Sequence, residues 1–164
     1  MPSPTLSRRG AITAAGSALV AASLAGPLLA ARASARFEIT RSPAEWRRLL
    51  GPHRYAVLRE GSTERPRSSP LDQERRRGTY VCAGCRLPLF ASTSKFESGT
   101  GWPSFFRALP NAVGTRTDTT LGMRRTEALC RRCGGHLGHL FRDGPQPTGL
   151  RYCTNGLALR FMPA

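Results

Sequence analysis

Short apolar runs separated by turn residues dominate the chain from Thr79 onward: Thr79–Val81, Leu87–Phe90, Ala128–Leu129, His139–Phe141 and Leu157–Phe161. Runs of that length, spaced by Gly, Pro, Asn and Asp, predict short strands in an antiparallel β architecture rather than a parallel one. Upstream the pattern differs. Ser42-Pro43-Ala44-Glu45 has the form of a capping box with proline at the first helical position, predicting a short helix through Leu50. That helix would place Trp46, Leu49 and Leu50 on one side and end at Gly51-Pro52, with Tyr55–Arg59 as a second helical turn. Gly61 to Gly78 is rich in Pro, Ser and charge and holds Arg75-Arg76-Arg77, the signature of an irregular surface loop long enough to carry function.

A longer apolar run, Ala11 to Ala31, stands apart. It follows Ser7-Arg8-Arg9-Gly10, is built mainly from Ala, Gly, Leu and Ser, and contains Pro27. Ala31-Arg32-Ala33 and Ala33-Ser34-Ala35 offer the small side chains that signal peptidase selects. Paired arginines before a weakly hydrophobic stretch predict a twin-arginine export signal over residues 1–35. The alternative is an uncleaved membrane anchor, since about 20 apolar residues can span a bilayer. Alanine and glycine gain little from lipid and the proline disrupts the helix, so a periplasmic location without stable membrane association is expected. Residues 36–164 then form one domain, enough for a modest core.

The whole chain carries a net charge of +15, nearly all from arginine, with Lys95 as the only lysine. Such a balance permits binding to anionic surfaces. The basic residues are scattered, however, and no run of them alternates with aromatics, so no nucleic-acid partner is expected.

The five cysteines divide unevenly. Cys82/Cys85 and Cys130/Cys133 form two Cys-x-x-Cys pairs, and Cys153 stands alone. Two such pairs can supply the four thiolates of a closed tetrahedral zinc site, which leaves no open position and therefore holds structure. Two redox-active pairs, or two disulfides, are the competing readings. Export of an already folded protein would let a metal site filled in the cytosol survive the passage, so address and metal are compatible.

Around Cys153 the chemistry thickens. Gly135-His136-Leu137-Gly138-His139 places two imidazoles three residues apart, on opposite faces of a regular strand unless a Gly-rich turn lets them converge. A histidine pair alone is more often structural than catalytic. Cys153 follows in Arg151-Tyr152-Cys153-Thr154-Asn155. A nucleophilic thiol needs neighbours that lower its pKa, and Arg151 and the histidines are candidates. Asn155 would share a strand face with the cysteine. Phe96-Glu97-Ser98-Gly99-Thr100-Gly101-Trp102-Pro103-Ser104-Phe105 reads as a tight loop around an indole, although taken alone an ordinary core tryptophan explains it.

Together these segments resemble the type B peptide-methionine sulfoxide reductases, from about Arg54 to Phe161. The strongest stretches are Lys95–Phe105, Gly122-Met123-Arg124-Arg125-Thr126-Glu127, Gly135–Pro145 and Thr148–Asn155. The resemblance implies two antiparallel sheets in a mainly β, β-tent-like arrangement, short N-terminal helices and a four-cysteine clamp binding one structural zinc through Cys82, Cys85, Cys130 and Cys133. It implies that Cys153 attacks the sulfoxide sulfur of methionine R-sulfoxide in oxidised proteins or peptides and becomes a sulfenic acid. His136, His139 and Asn155 would bind and protonate the departing oxygen, Trp102 would wall the substrate methyl group, and Arg151 would border the same site. Some members carry a resolving cysteine where this chain has Thr100, so regeneration would fall to an external dithiol, a thioredoxin-like protein. Arg67 stands where the family commonly has an aromatic. A basic zinc-ribbon binding module and a general thiol–disulfide exchanger are the rival functions.

Overall fold

The computed structural model describes residues 37–164. The export signal expected over residues 1–35 lies outside them.

The helix α1 runs Pro43–Glu60 and begins where the capping box predicts. The Ser42 hydroxyl accepts from the Glu45 N–H at 3.3 Å, and the Glu45 carboxylate accepts from the Ser42 N–H at 2.8 Å. Gly51 breaks the helix at φ 69°, ψ 173°, immediately before Pro52. The two short helices expected are thus two segments of one kinked element, which Gly61 ends in a left-handed conformation. The buried stripe is Trp46, Leu50, Tyr55, Val57 and Leu58. Leu49, expected on that side, is 52 % exposed. Trp46 and Leu50 are four residues apart and share a face, whereas Leu49 is rotated away from it.

All strands pair antiparallel, in two sheets. The smaller has the order β2 (Pro88–Ala91), β1 (Gly78–Cys82), β9 (Leu159–Pro163). The larger has the order β3 (Lys95–Phe96), β4 (Ser104–Phe105), β8 (Arg151–Thr154), β7 (His136–Phe141), β6 (Arg125–Cys130), β5 (Val113–Asp118). Leu157, expected to open the last strand, instead sits in a 3-10 turn, Gly156–Ala158. An aromatic cluster joins the sheets. Phe90 of β2 stacks on Phe105 of β4 with centroids 4.3 Å apart, and Tyr80 of β1 meets the same ring edge-on at 4.8 Å. Rings in these geometries add to the area they bury. Leu58 of α1 and Leu137 of β7 belong to the same core, which fixes the helix against the strand that carries the histidines.

The loop from Gly61 to Gly78 is irregular apart from one 3-10 turn at Pro70–Asp72. Glu64 is nonetheless buried within it.

Candidate active site and metal centre

Cys82 ends β1 and Cys130 ends β6, and the chain turns in the same way after each. The Arg86 N–H donates to the Cys82 carbonyl and the Gly134 N–H to the Cys130 carbonyl, both at 2.8 Å. The residue that turns back is left-handed in both, Arg86 at φ 61° and Gly134 at φ 68°. Gly134 must also lack a side chain, because a Cβ there would lie 2.3 Å from the Phe37 ring. The four sulfurs lie within 4.8 Å of one another. Cys82 and Cys133 are 3.8 Å apart and Cys85 and Cys130 3.4 Å. A tetrahedral ion with metal–sulfur bonds of about 2.3 Å sets sulfurs about 3.8 Å apart. The four cysteines are therefore close enough to bind a metal, and one pair comes from each sheet.

The second constellation is built by strand register. Paired residues on neighbouring antiparallel strands project to the same face. Arg116 pairs with Glu127, Glu127 with His139, His139 with Cys153 and Cys153 with Ser104. One row thus crosses five strands with His139 at its middle and Cys153 beside it. A regular strand would send His136 to the other face. The β6–β7 pairing shifts register, so that Ala128 faces Gly138 while Leu129 faces His136, and Leu137 is the extra residue. The bulge brings both imidazoles onto one face, with ring centroids 5.5 Å apart. Gly138 makes this possible: its φ is 151°, and a Cβ there would lie 2.0 Å from the Cys153 carbonyl oxygen.

Both imidazoles are held by carboxylates. His136 Nδ1 is 2.6 Å from Glu127 Oε1, and His139 Nε2 is 2.8 Å from Asp118 Oδ2. Arg116 donates to the other oxygen of Glu127, and Arg125 donates to Asp118 at 2.7 Å. Burial pushes the His136 pKa below its ordinary value, against the opposing pull of Glu127. The Thr120 hydroxyl and backbone, with His139 and Arg125, hold Asp118 well below the carboxylate range. The residues around the two rings line a cleft of about 460 Å³ that also takes in Phe37, Leu58 and Thr63.

A cage of hydroxyls surrounds the sulfur of Cys153. Thr100 Oγ1 is 3.9 Å away, and Ser98 lies 2.8 Å from both Thr100 and Ser104. Burial raises the Cys153 pKa, and the Thr100 hydroxyl, the Arg151 charge and the Ser104 hydroxyl pull it back. The Arg151 charge thus bears on the thiol, and the polar contacts of both histidines go to carboxylates. Arg151 is itself fixed by Asp143 at 2.9 and 2.7 Å and lies over Phe141.

Trp102 is half-buried, and its Nε1–H donates to the Glu64 carbonyl at 3.1 Å. The Asn155 side chain is buried, accepts from the Glu64 N–H at 3.0 Å and donates to the Leu137 carbonyl at 3.3 Å. Its amide thus serves the backbone of the site, tying the loop at Glu64 to the bulge in β7. The Glu64 carboxylate accepts from the Gly156 and Leu157 N–H groups. Arg67 is exposed and left-handed at φ 60°, and its N–H donates to the Gly101 carbonyl at 2.6 Å. A Cβ at Gly101 would lie 3.0 Å from Pro66 and closer still to Arg67. The loop after Glu64 thereby closes on the loop that carries Trp102 through backbone, without an aromatic side chain.

Glu64, Asp118 and Glu127 were not singled out from the sequence. Isolated acids in polar, arginine-rich stretches look like solvated surface. Only the odd position of Glu127, between Thr126 and the apolar Ala128-Leu129, hinted otherwise.

The SelR domain matches residues 50–163. A peptide methionine sulfoxide reductase MsrB of Thiobacillus denitrificans is 56 % identical over 124 residues, covering 75 % of this chain and 94 % of that protein. Its namesake from Bradyrhizobium diazoefficiens is 54 % identical over 127 residues, covering 77 % and 91 %. That of Methanosarcina barkeri is 49 % identical over 124 residues, covering 75 % and 87 %.

Proposed function

The chain belongs to the SelR-domain family of peptide methionine sulfoxide reductases, and on that premise we propose that it reduces the R epimer of methionine sulfoxide in oxidised proteins and peptides, with Cys153 as nucleophile. The observation that carries this reading is the position of Cys153. It is the one cysteine outside the metal cluster, and it sits in the row that also presents His139 and the hydroxyls.

Burial raises the Cys153 pKa and so favours the protonated thiol. Reduction uses that proton. As the sulfur attacks the sulfoxide sulfur, the substrate S–O bond breaks and the oxygen passes to Cys153 as a sulfenic acid. Two electrons move from the cysteine sulfur to the methionine sulfur, and the thiol proton ends on oxygen. His136, His139 and Asn155 would serve the oxygen side by positioning water, whose hydrogen bonds to the developing charge lower the barrier. Trp102 offers an apolar wall for the methyl group. With Thr100 in place of a resolving thiol, an external dithiol of thioredoxin type completes the cycle. Its first sulfur displaces water from the sulfenic acid, and its second releases Cys153 as the thiol.

Cys82, Cys85, Cys130 and Cys133 would hold one structural zinc, which supplies no chemical step. Residues 1–35 would direct export through the twin-arginine route to the periplasm, a reading supported by Arg8-Arg9, the Ala/Gly-rich run and the small residues at Ala33 and Ala35. Among the described residues no helix is long and apolar enough to cross a membrane.

Turnover of a peptide carrying each methionine sulfoxide epimer, with an added dithiol, tests the activity. The R epimer should be consumed and the S epimer left, and Cys153→Ser should lose roughly 10³-fold or more while keeping its metal and fold. A wild-type protein inert toward both epimers would overturn the reading. Replacing Arg8 and Arg9 by lysine should retain the protein in the cytoplasm, and unaltered export would exclude the twin-arginine route.

A further inference from the structure

Taking the reductase reading as its basis, we propose that Glu127, locked by Arg116, is a positioning residue that holds His136 in the tautomer with the proton on Nδ1, leaving Nε2 as a bare acceptor for an oxygen-borne proton. His136 is 5 % exposed, and burial lowers its pKa, which favours the neutral ring. A neutral imidazole carries one N–H, and the nitrogen that faces an ionised carboxylate is the one that keeps it. That nitrogen is Nδ1, 2.6 Å from Glu127 Oε1. The other, Nε2, is buried and has no hydrogen-bond partner in the protein. A buried polar atom left open in this way marks a place for a water or a ligand atom. Here its chemistry is defined: Nε2 accepts, so it would orient a water or hydroxyl whose remaining hydrogen is free for the sulfoxide oxygen. The titratable and charged groups facing the ring are Glu127, Arg116 and His139.

Arg116 makes the device directional. Its Nε donates to Glu127 Oε2, which leaves Oε1 for the imidazole. In Glu127→Gln the guanidinium claims the single amide oxygen, so the NH₂ group turns toward His136 Nδ1. The ring must then move its proton to Nε2, and the open acceptor becomes a donor. Removing Arg116 as well frees the amide to rotate and offer its oxygen to Nδ1 again. The Arg116 side chain is 66 % exposed, so its loss should not disturb the fold.

Long-range ¹H–¹⁵N correlation of the imidazole nitrogens, on the full metal-loaded protein, reads the tautomer directly. Wild type should show the Nδ1–H form and Glu127→Gln the Nε2–H form. In parallel the kcat of Glu127→Gln should fall roughly tenfold to a hundredfold with KM little changed. The double variant Arg116→Ala/Glu127→Gln should recover the Nδ1–H form and much of the lost kcat. An Nε2–H signal in wild type would overturn the proposal whether or not the variants fold. So would an inverted tautomer with undiminished kcat. A wild-type protein with the Nδ1–H tautomer but no sulfoxide reduction would instead sink the functional reading and leave the tautomer assignment standing.

Discussion

Thr100 Oγ1 sits 3.9 Å from Cys153 Sγ, in the loop that carries Trp102. A side chain of the same length ending in sulfur would put two thiols in contact, from which rotation about the Cα–Cβ bonds must close the gap to an S–S bond of about 2.05 Å. Thr100→Cys should therefore convert the external recycling step into an internal one. After one turnover without reductant, mass spectrometry should find a disulfide between position 100 and Cys153. A persistent sulfenic acid with a free thiol at position 100 would show that the loop holds them apart.

The pH dependence of Cys153 alkylation follows from the causes of its shift. Only the thiolate reacts, and burial raises the pKa, so the iodoacetamide rate should have its midpoint above the ordinary thiol value. The Arg151 charge opposes that rise. Arg151→Leu removes the opposition, so the midpoint should move further up and the rate at a fixed pH below it should fall. An unchanged or lower midpoint would mean that Asp143 already cancels the charge at the sulfur.

If the four cysteines hold the zinc proposed above, its loss should cost the fold. Structural zinc sites contribute free energies on the order of 10 kcal/mol, comparable with the whole stability of a domain, about 5–15 kcal/mol. Cys130→Ala, or exhaustive chelation, should abolish the cooperative thermal transition seen by circular dichroism, together with bound metal by elemental analysis. A metal-free protein with an intact transition would show that the sulfurs pack as an apolar cluster.

Glu64 joins three parts of the site: its carboxylate serves Gly156 and Leu157, its carbonyl Trp102 and its N–H Asn155. Glu64→Ala leaves two backbone N–H groups without their acceptor, at about 1–3 kcal/mol each. Urea unfolding should report a loss of about 2 kcal/mol or more, with red-shifted Trp102 fluorescence when read in a Trp46→Phe background. No change in either would mean that water replaces the carboxylate without penalty.

Elements bounded by distinctive turn chemistry were legible in the sequence. The Ser42–Glu45 box, the break at Gly51-Pro52 and the strands running into Cys82 and Cys130 lie where local rules put them. The strands β3, β4, β5 and β8 were not legible. Two are only two residues long, and β5 reads Val-Gly-Thr-Arg-Thr-Asp with no buried side chain. In β8, Arg151-Tyr152-Cys153-Thr154 owes its place to pairing on both sides rather than to apolar alternation. The site followed the same division. Cysteine arithmetic separates Cys153 from the metal set, but the partners of His136 and His139 depend on register between strands distant in sequence, which no local pattern encodes.

The bulge at Leu137 makes the number of residues in β7 matter as much as their identity. Straightening the ladder without shortening it would keep both imidazoles in the chain yet turn one ring to the reverse side, whereas losing Leu137 together with the bulge would leave the rings two residues apart and facing the same way. The bulge and the three-residue spacing of the histidines therefore depend on each other, and a change that alters one without the other should be fatal to activity before it is fatal to folding.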